Sequence, residues 1–257
     1  MTPADPAPKI EIHFDRVSKW FGGKRSHAGA FQAVDGLTLD IVQGEMVALL
    51  GKTGCGKSTT FNMIAGLLEP SEGNVRVQGC DPFRNFNDLR GKIAVVFQND
   101  RLLPWRTAIG NVELGLEMLD RPAPERHEVA QFWLSRLGLA GHEHDYPHAL
   151  SGGMRQRVSI ARAFATDASI LLCDEPFSAL DEITGQRLRE DFANLVRENG
   201  KTAVFITHSI NEALQIGRRV IVMTPPARIA YDVRLGSDVA IEQNDAIRTR
   251  IQDVLTA

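Results

Sequence analysis

The sequence predicts an α/β fold: a mostly parallel sheet buried on both faces, with an N-terminal antiparallel β subdomain and an inserted α-helical subdomain. Three observations predict it. Runs of Val, Ile, Leu and Ala such as Val47–Leu50, Ile170–Cys173 and Val220–Met223 are strand-length and nearly continuous, as in strands covered on both sides. Helical patterns alternate with those runs. One strand passes straight into a helix through a glycine-rich turn, Gly51–Gly56.

The elements follow in order. Residues 1–9, with prolines at 3, 6 and 8, are expected to form a disordered lead. Residues 10–14 alternate apolar and polar, as a half-buried strand does, and 37–42 read the same way. Gly44 punctuates the chain before a strand at 46–50. Further strands are predicted at 75–77, 93–97, 170–173, 203–207, 220–223 and 229–232. Helical patterns cover 58–65, 126–137, 152–165, 183–198 and 211–216. From about 99 to 155 they occur without a strand, which marks the inserted lobe. The reading is one domain over 10–240 and a C-terminal helix within 241–257, amphipathic over roughly 243–255.

Composition removes several classes of function. Twenty-nine Lys and Arg against 32 Asp and Glu give a net charge of −3, so no cationic excess is available to sheathe a phosphate backbone, and no nucleic-acid partner is expected. No apolar run approaches the roughly 20 residues of a membrane-spanning helix, and no secretory leader is read at the start. Cys55, Cys80 and Cys173 are odd in number and lack C-x-x-C spacing, which argues against a disulfide framework or a zinc site. A reduced, cytosolic chain is expected, one that reaches a membrane only by docking.

Gly51-Lys52-Thr53-Gly54-Cys55-Gly56-Lys57-Ser58, followed by Thr59, fits the phosphate-loop pattern G-x-x-x-x-G-K-[ST]. Gly51, Gly54 and Gly56 permit backbone angles that turn successive N–H groups into one concavity at a helix start. Lys57 supplies a point charge for β and γ phosphates, and the Ser58 hydroxyl is a hard ligand for Mg²⁺. Ile170–Cys173 ends in Asp174 and Glu175, which sets two carboxylates at the C-terminal edge of a strand, where α/β ligands bind. Asp174 is placed to hold Mg²⁺ and Glu175 to orient or deprotonate the attacking water. A glycine turn or an acidic strand end alone would be ordinary surface features. Together they read as a P-loop NTPase core.

Leu150-Ser-Gly-Gly-Met-Arg-Gln-Arg157 begins a helix whose N-cap is Ser151 and whose first amides lie uncovered at Gly152 and Gly153. Met154, Val158, Ala161 and Ala165 form its buried stripe. With the P-loop, Gln98, this L-S-G-G-M-R-Q segment, Asp174–Glu175, Ser178-Ala-Leu-Asp181 and His208 in order, the chain resembles the ATP-binding-cassette ATPases over residues 10 to 235. The resemblance implies ATP and Mg²⁺ as cofactors and ATPase activity. Lys57, Gln98, Glu175 and His208 would be catalytic. Ser58, Gln98 and Asp174 would hold the metal. Gly51 through Thr59 would cradle the phosphates, and Phe21 would stack on adenine, with the adjacent Trp20 as the alternative. Ser151, Gly152, Gly153 and Asp181 would meet a nucleotide held by a second cassette subunit, so a dimer is implied.

Leu102-Leu-Pro-Trp105 sets apolar residues beside Gln98, either as a docking face or as packing inside the lobe. That phrase and the overall length resemble the nitrate, sulfonate and taurine group of bacterial import ATPases. Pro225-Pro-Ala-Arg-Ile229 resembles a P-G-R-I segment of that group, with Ala227 in place of glycine. The group implies an importer of a small anionic or zwitterionic solute, with integral membrane permease subunits as partners. An extracytoplasmic solute-binding protein would take part indirectly, and the chain would sit peripherally on the cytoplasmic face of the bacterial inner membrane. Lys24–Phe31 reads as a small basic insertion, a solvated hairpin or a contact to nucleotide or neighbour. A soluble non-transport cassette ATPase and a nucleotide-dependent regulatory module are the competing readings. The first would show a paired cassette, a coiled-coil insert or a basic face; the second would lack Lys57, Glu175 or His208.

Overall fold

The computed structural model describes residues 8–23, 29–178, 180, 182–236 and 241–256. Its first elements are β1 (Ile10–Phe21), β2 (Phe31–Val42), β3 (Met46–Leu50), α1 (Lys57–Ile64) and β4 (Glu72–Val77). Then come β5 (Ile93–Val96), α2 (Ala108–Met118), α3 (Ala123–Arg136), α4 (Gly152–Ala165), β6 (Ile170–Asp174), α5 (Glu182–Glu198) and β7 (Thr202–Thr207). The chain finishes with α6 (Ile210–Ile216), β8 (Arg219–Thr224), β9 (Arg228–Arg234) and α7 (Ile241–Thr256). These elements group into two compact units, residues 1–89 with 206–257, and residues 90–205.

The first unit contains an antiparallel sheet in the order β2-β1-β4. The alternation that predicts a strand stops at Phe14, yet β1 continues to Phe21. A register shift between Phe14 and Val17 explains this, with Arg16 in the left-handed region at φ 47°. Gly73 of β4 faces that bulge: its φ is 80°, and an added Cβ would stand 2.4 Å from the Arg16 carbonyl oxygen. Only glycine fits both demands. The same unit carries β3 parallel to β8, with β9 antiparallel on the far side of β8. Every residue of β3 is buried, as a strand covered on both faces requires. Helix α6 packs against β3, and α7 against β8.

Arg219 fixes the start of β8. It donates Nε and Nη2 to Asp232 of β9 at 2.8 and 2.6 Å, and Nη1 to the Asp40 carbonyl at 2.7 Å, with Glu45 at 3.3 Å. The bonds it donates to Asp232 raise its pKa, so this buried guanidinium stays charged and paired.

The second unit has the strand order β5-β6-β7, with β5 parallel to β6 in the register Ile93↔Ile170. Residues 99–155, the expected lobe, hold α2, α3 and the first residues of α4. The compact unit around them is wider because one aromatic core joins helices to strands. Phe192 of α5 meets Phe164 of α4, Phe177 beyond β6 and Phe205 of β7 edge-on, at 5.8, 5.6 and 6.5 Å between centroids. Trp133 of α3 adds a ring 5.0 Å from Phe164. Among the described residues, no helix is long and apolar enough to cross a membrane.

Candidate functional site

The glycine-rich loop of the first unit runs from β3 to α1. Gly54 and Gly56 take φ 82° and 96°. At Gly51 an added Cβ would lie 2.6 Å from both the Cys55 sulfur and the Met223 carbonyl oxygen; at Gly56 it would lie 2.4 Å from the Ala33 carbonyl oxygen. The loop is therefore wedged against β2 and β8 and admits no side chain there. Gly54 is different, since an added Cβ would meet nothing within 4 Å. Lys57 is buried, and its ammonium donates to the carbonyls of Gly51 at 2.6 Å and Lys52 at 3.1 Å, with Cys55 Sγ at 3.7 Å. The N-cap of α1 is Gly56, which offers no side-chain acceptor, so the first amides of the helix remain for an anion. Ser58 is exposed at that helix start, and Lys52 and Thr53 are exposed on the loop.

Two further candidates belong to this unit. Phe21, at the end of β1, is 42% exposed, while Trp20 is 8% exposed. Phe21 is thus presented to solvent, whereas Trp20 packs in the core. Lys19 Nζ stands 5.6 Å from the Phe21 centroid, a cation–π contact not anticipated from the sequence. His208 follows β7 and is exposed. Its neighbours are anchored: Ser209 caps α6 by accepting from the Glu212 amide at 3.3 Å, and Ser209 N donates to Thr207 Oγ1 at 3.0 Å.

In the second unit β6 delivers Asp174 and Glu175 at its C-terminal edge. Glu175 has φ 43°, a conformation rare for a side chain as long as glutamate. Ser178 holds it there: its amide and hydroxyl donate to the Glu175 carbonyl at 3.2 and 3.1 Å. Gln98, just beyond β5, donates Nε2 to Glu175 Oε2 at 3.1 Å. The structure thus joins these two candidates directly.

Ser151 caps α4 by accepting from the Met154 amide at 3.3 Å, and Ser151 and Gly152 are exposed. Sequence reasoning missed the clamp beside this turn. Arg155 donates Nε to Asp100 at 2.9 Å and Nη1 to the Leu150 carbonyl at 2.8 Å. Arg162 donates to the carbonyls of Asp100 and Arg101 at 2.7 and 2.9 Å. Burial lowers the Arg162 pKa, opposed by the charge of Asp100. No motif announces the pairings with Asp100 and Arg101, because they link loop and helix positions far apart in sequence. Farther along the loop, Leu102 is buried, whereas Trp105 is 70% exposed. The apolar phrase therefore splits into a packed leucine and a presented tryptophan.

Asp181 and the insertion residues Lys24–Ala28 lie outside the described residues, as do residues 1–7. Each unit offers a hard oxygen of the kind Mg²⁺ takes, the Ser58 hydroxyl in the first and the Asp174 carboxylate in the second. Among the described residues, no three His, Cys, Asp or Glu gather into a closed cage. A cation completed by phosphate oxygens and water needs none.

Residues 34–178 match the model of the ABC transporter family. An uncharacterized ABC transporter ATP-binding protein of Methanocaldococcus jannaschii is 38% identical over 231 residues, 88% of this chain and 83% of that protein. The taurine import ATP-binding protein of Yersinia pestis is 43% identical over 193 residues, 75% of this chain and 74% of that protein. Among solved structures, a dimeric post-hydrolysis state of an ATP-binding cassette bound to ADP and Pi superposes with TM-score 0.77 at 34% identity, covering 88% of this chain and 100% of that one.

Proposed function

Because the chain belongs to the ABC transporter family, with the P-loop NTPase fold and ATPase activity of its cassettes on ATP and Mg²⁺, we propose that it powers an importer of a small anionic or zwitterionic solute. The 43% identity to a taurine import ATP-binding protein carries this reading. The exposed Trp105, next to the loop that begins at Gln98, supports a docking face for a membrane partner.

Each residue has a proposed task. The loop Gly51–Thr59 takes the phosphates, with Lys57 toward the β and γ groups. Phe21 stacks on the base. Ser58, Asp174 and Gln98 would hold Mg²⁺, which would supply charge neutralisation to the phosphate oxygens. Glu175 accepts the proton of the water whose oxygen attacks the γ-phosphorus. The bond to the β–γ bridging oxygen breaks, leaving ADP and inorganic phosphate. His208 contacts the γ-phosphate. Ser151, Gly152, Gly153 and Asp181 address a nucleotide held by a second copy of the cassette.

The proposed partners are that second subunit, integral permease subunits and, indirectly, an extracytoplasmic solute-binding protein. The proposed location is peripheral, at the cytoplasmic face of a bacterial inner membrane. Reconstitution with the permease tests the reading: hydrolysis should rise when taurine or a related sulfonate is supplied with its binding protein. Indifference to solute, with no membrane protein recovered in pull-downs, would overturn it.

A further inference from the structure

We infer that Glu212, acting through the Thr207 hydroxyl, is the positioning residue that sets His208; the inference rests on the proposed role of His208 at the γ-phosphate. Glu212 lies in the first turn of α6 and is only 7% exposed. A carboxylate there is costly to desolvate, and an apolar side chain would serve packing at least as well. What distinguishes the carboxylate is its partner. Thr207, the last residue of β7 and itself buried, donates Oγ1 to Glu212 Oε2.

The same Thr207 oxygen accepts from the Ser209 amide at 3.0 Å, and the Ser209 hydroxyl accepts from the Glu212 amide at 3.3 Å. These bonds close a ring through the residues on both sides of His208. The backbone of His208 is spanned from before and after, while its side chain remains exposed. The ring therefore fixes where the imidazole starts without itself touching a reacting atom. Glu212 supplies its one charged acceptor. Removing either the carboxylate or the hydroxyl should release the histidine while leaving the phosphate loop alone.

The test compares four variants of the full chain with His208→Ala, measuring kcat, KM, binding of a fluorescent ATP analogue and thermal unfolding. Thr207→Val, which keeps shape without the hydroxyl, and Glu212→Ala should lower kcat about tenfold to a hundredfold, with analogue affinity changed by less than about threefold. Thr207→Ser and Glu212→Gln, which preserve the donor and an acceptor, should recover most of the rate. Wild-type kcat in Thr207→Val beside a slow His208→Ala overturns the inference and leaves the histidine's role standing. Loss of Tm in Thr207→Val at unchanged kcat assigns the ring to folding alone and overturns it equally. Undiminished kcat in His208→Ala removes the premise instead. Should Glu212→Ala not fold, the Thr207→Val and Thr207→Ser pair decides, with equal rates overturning the inference.

Discussion

Gln98 and Glu175 are joined by a 3.1 Å hydrogen bond between side chains separated by 77 positions in sequence. The carboxylate proposed to receive a proton is thereby held by a neutral donor at one oxygen. The strained backbone at Glu175, tied to Ser178, fixes it at the other end.

Glu175→Gln keeps a hydrogen-bonding partner for Gln98 but removes the base. Steady-state turnover should fall by about 10² to 10⁴, the usual worth of a general base, while ATP binding persists. Phosphate release at the wild-type rate would contradict the assignment.

Lys57 organises the loop as well as charging it, because its ammonium bonds two loop carbonyls. Lys57→Ala is expected to weaken ATP binding by at least about tenfold, in line with about 1.5–3 kcal/mol for a charged hydrogen bond. Calorimetric titration with a nonhydrolysable analogue measures it.

The glycines of the phosphate loop should separate in stability. Gly54→Ala faces open space and incurs only the strain of a left-handed backbone, about 1–2 kcal/mol. Gly56→Ala meets that strain and the Ala33 carbonyl together, so chemical denaturation should show a larger loss. Equal midpoints for the two variants would refute the wedged geometry.

Trp105→Ala should leave the unfolding free energy nearly unchanged, within about 0.5 kcal/mol, since little of the ring is buried. Stimulation by a reconstituted membrane partner should decline far more than hydrolysis by the isolated chain. Parallel losses would contradict a docking role for this tryptophan.

Arg219→Ala strands Asp232 without its cation and leaves the half-buried Glu45 with only the exposed Arg234. A loss of about 3 kcal/mol is expected from urea unfolding, the lower part of the range for breaking a buried pair.

The layout of the candidate site was largely legible in the sequence because it depends on residue types at fixed spacing. The P-loop, the carboxylates ending β6 and the Ser151 cap all stand where pattern and local physics put them. Other features answered to contacts that no local pattern carries. Helix α2 escaped separate recognition because Gly110, Asn111 and Gly115 interrupt its apolar face. The structure gives two of them reasons. Buried Asn111 donates to the carbonyls of Leu103, Arg106 and Thr107. Gly115 lets α2 approach Thr166, whose methyl would lie 2.6 Å from an added Cβ. The extension of β1 past Phe14 and the backbone of Glu175 depend likewise on single left-handed residues, for which Arg and Glu give no advance signal.

The rings from Trp133 to Phe177 carry one last implication. Packed tilted or edge-on, they form a continuous rod whose far tip is the second residue after Glu175. Damage to the lobe's interior would thus surface as slowed chemistry at a distance, even with every reacting group intact. Heat-sensitive lesions along this rod should mimic active-site defects, and only unfolding curves would tell the two apart.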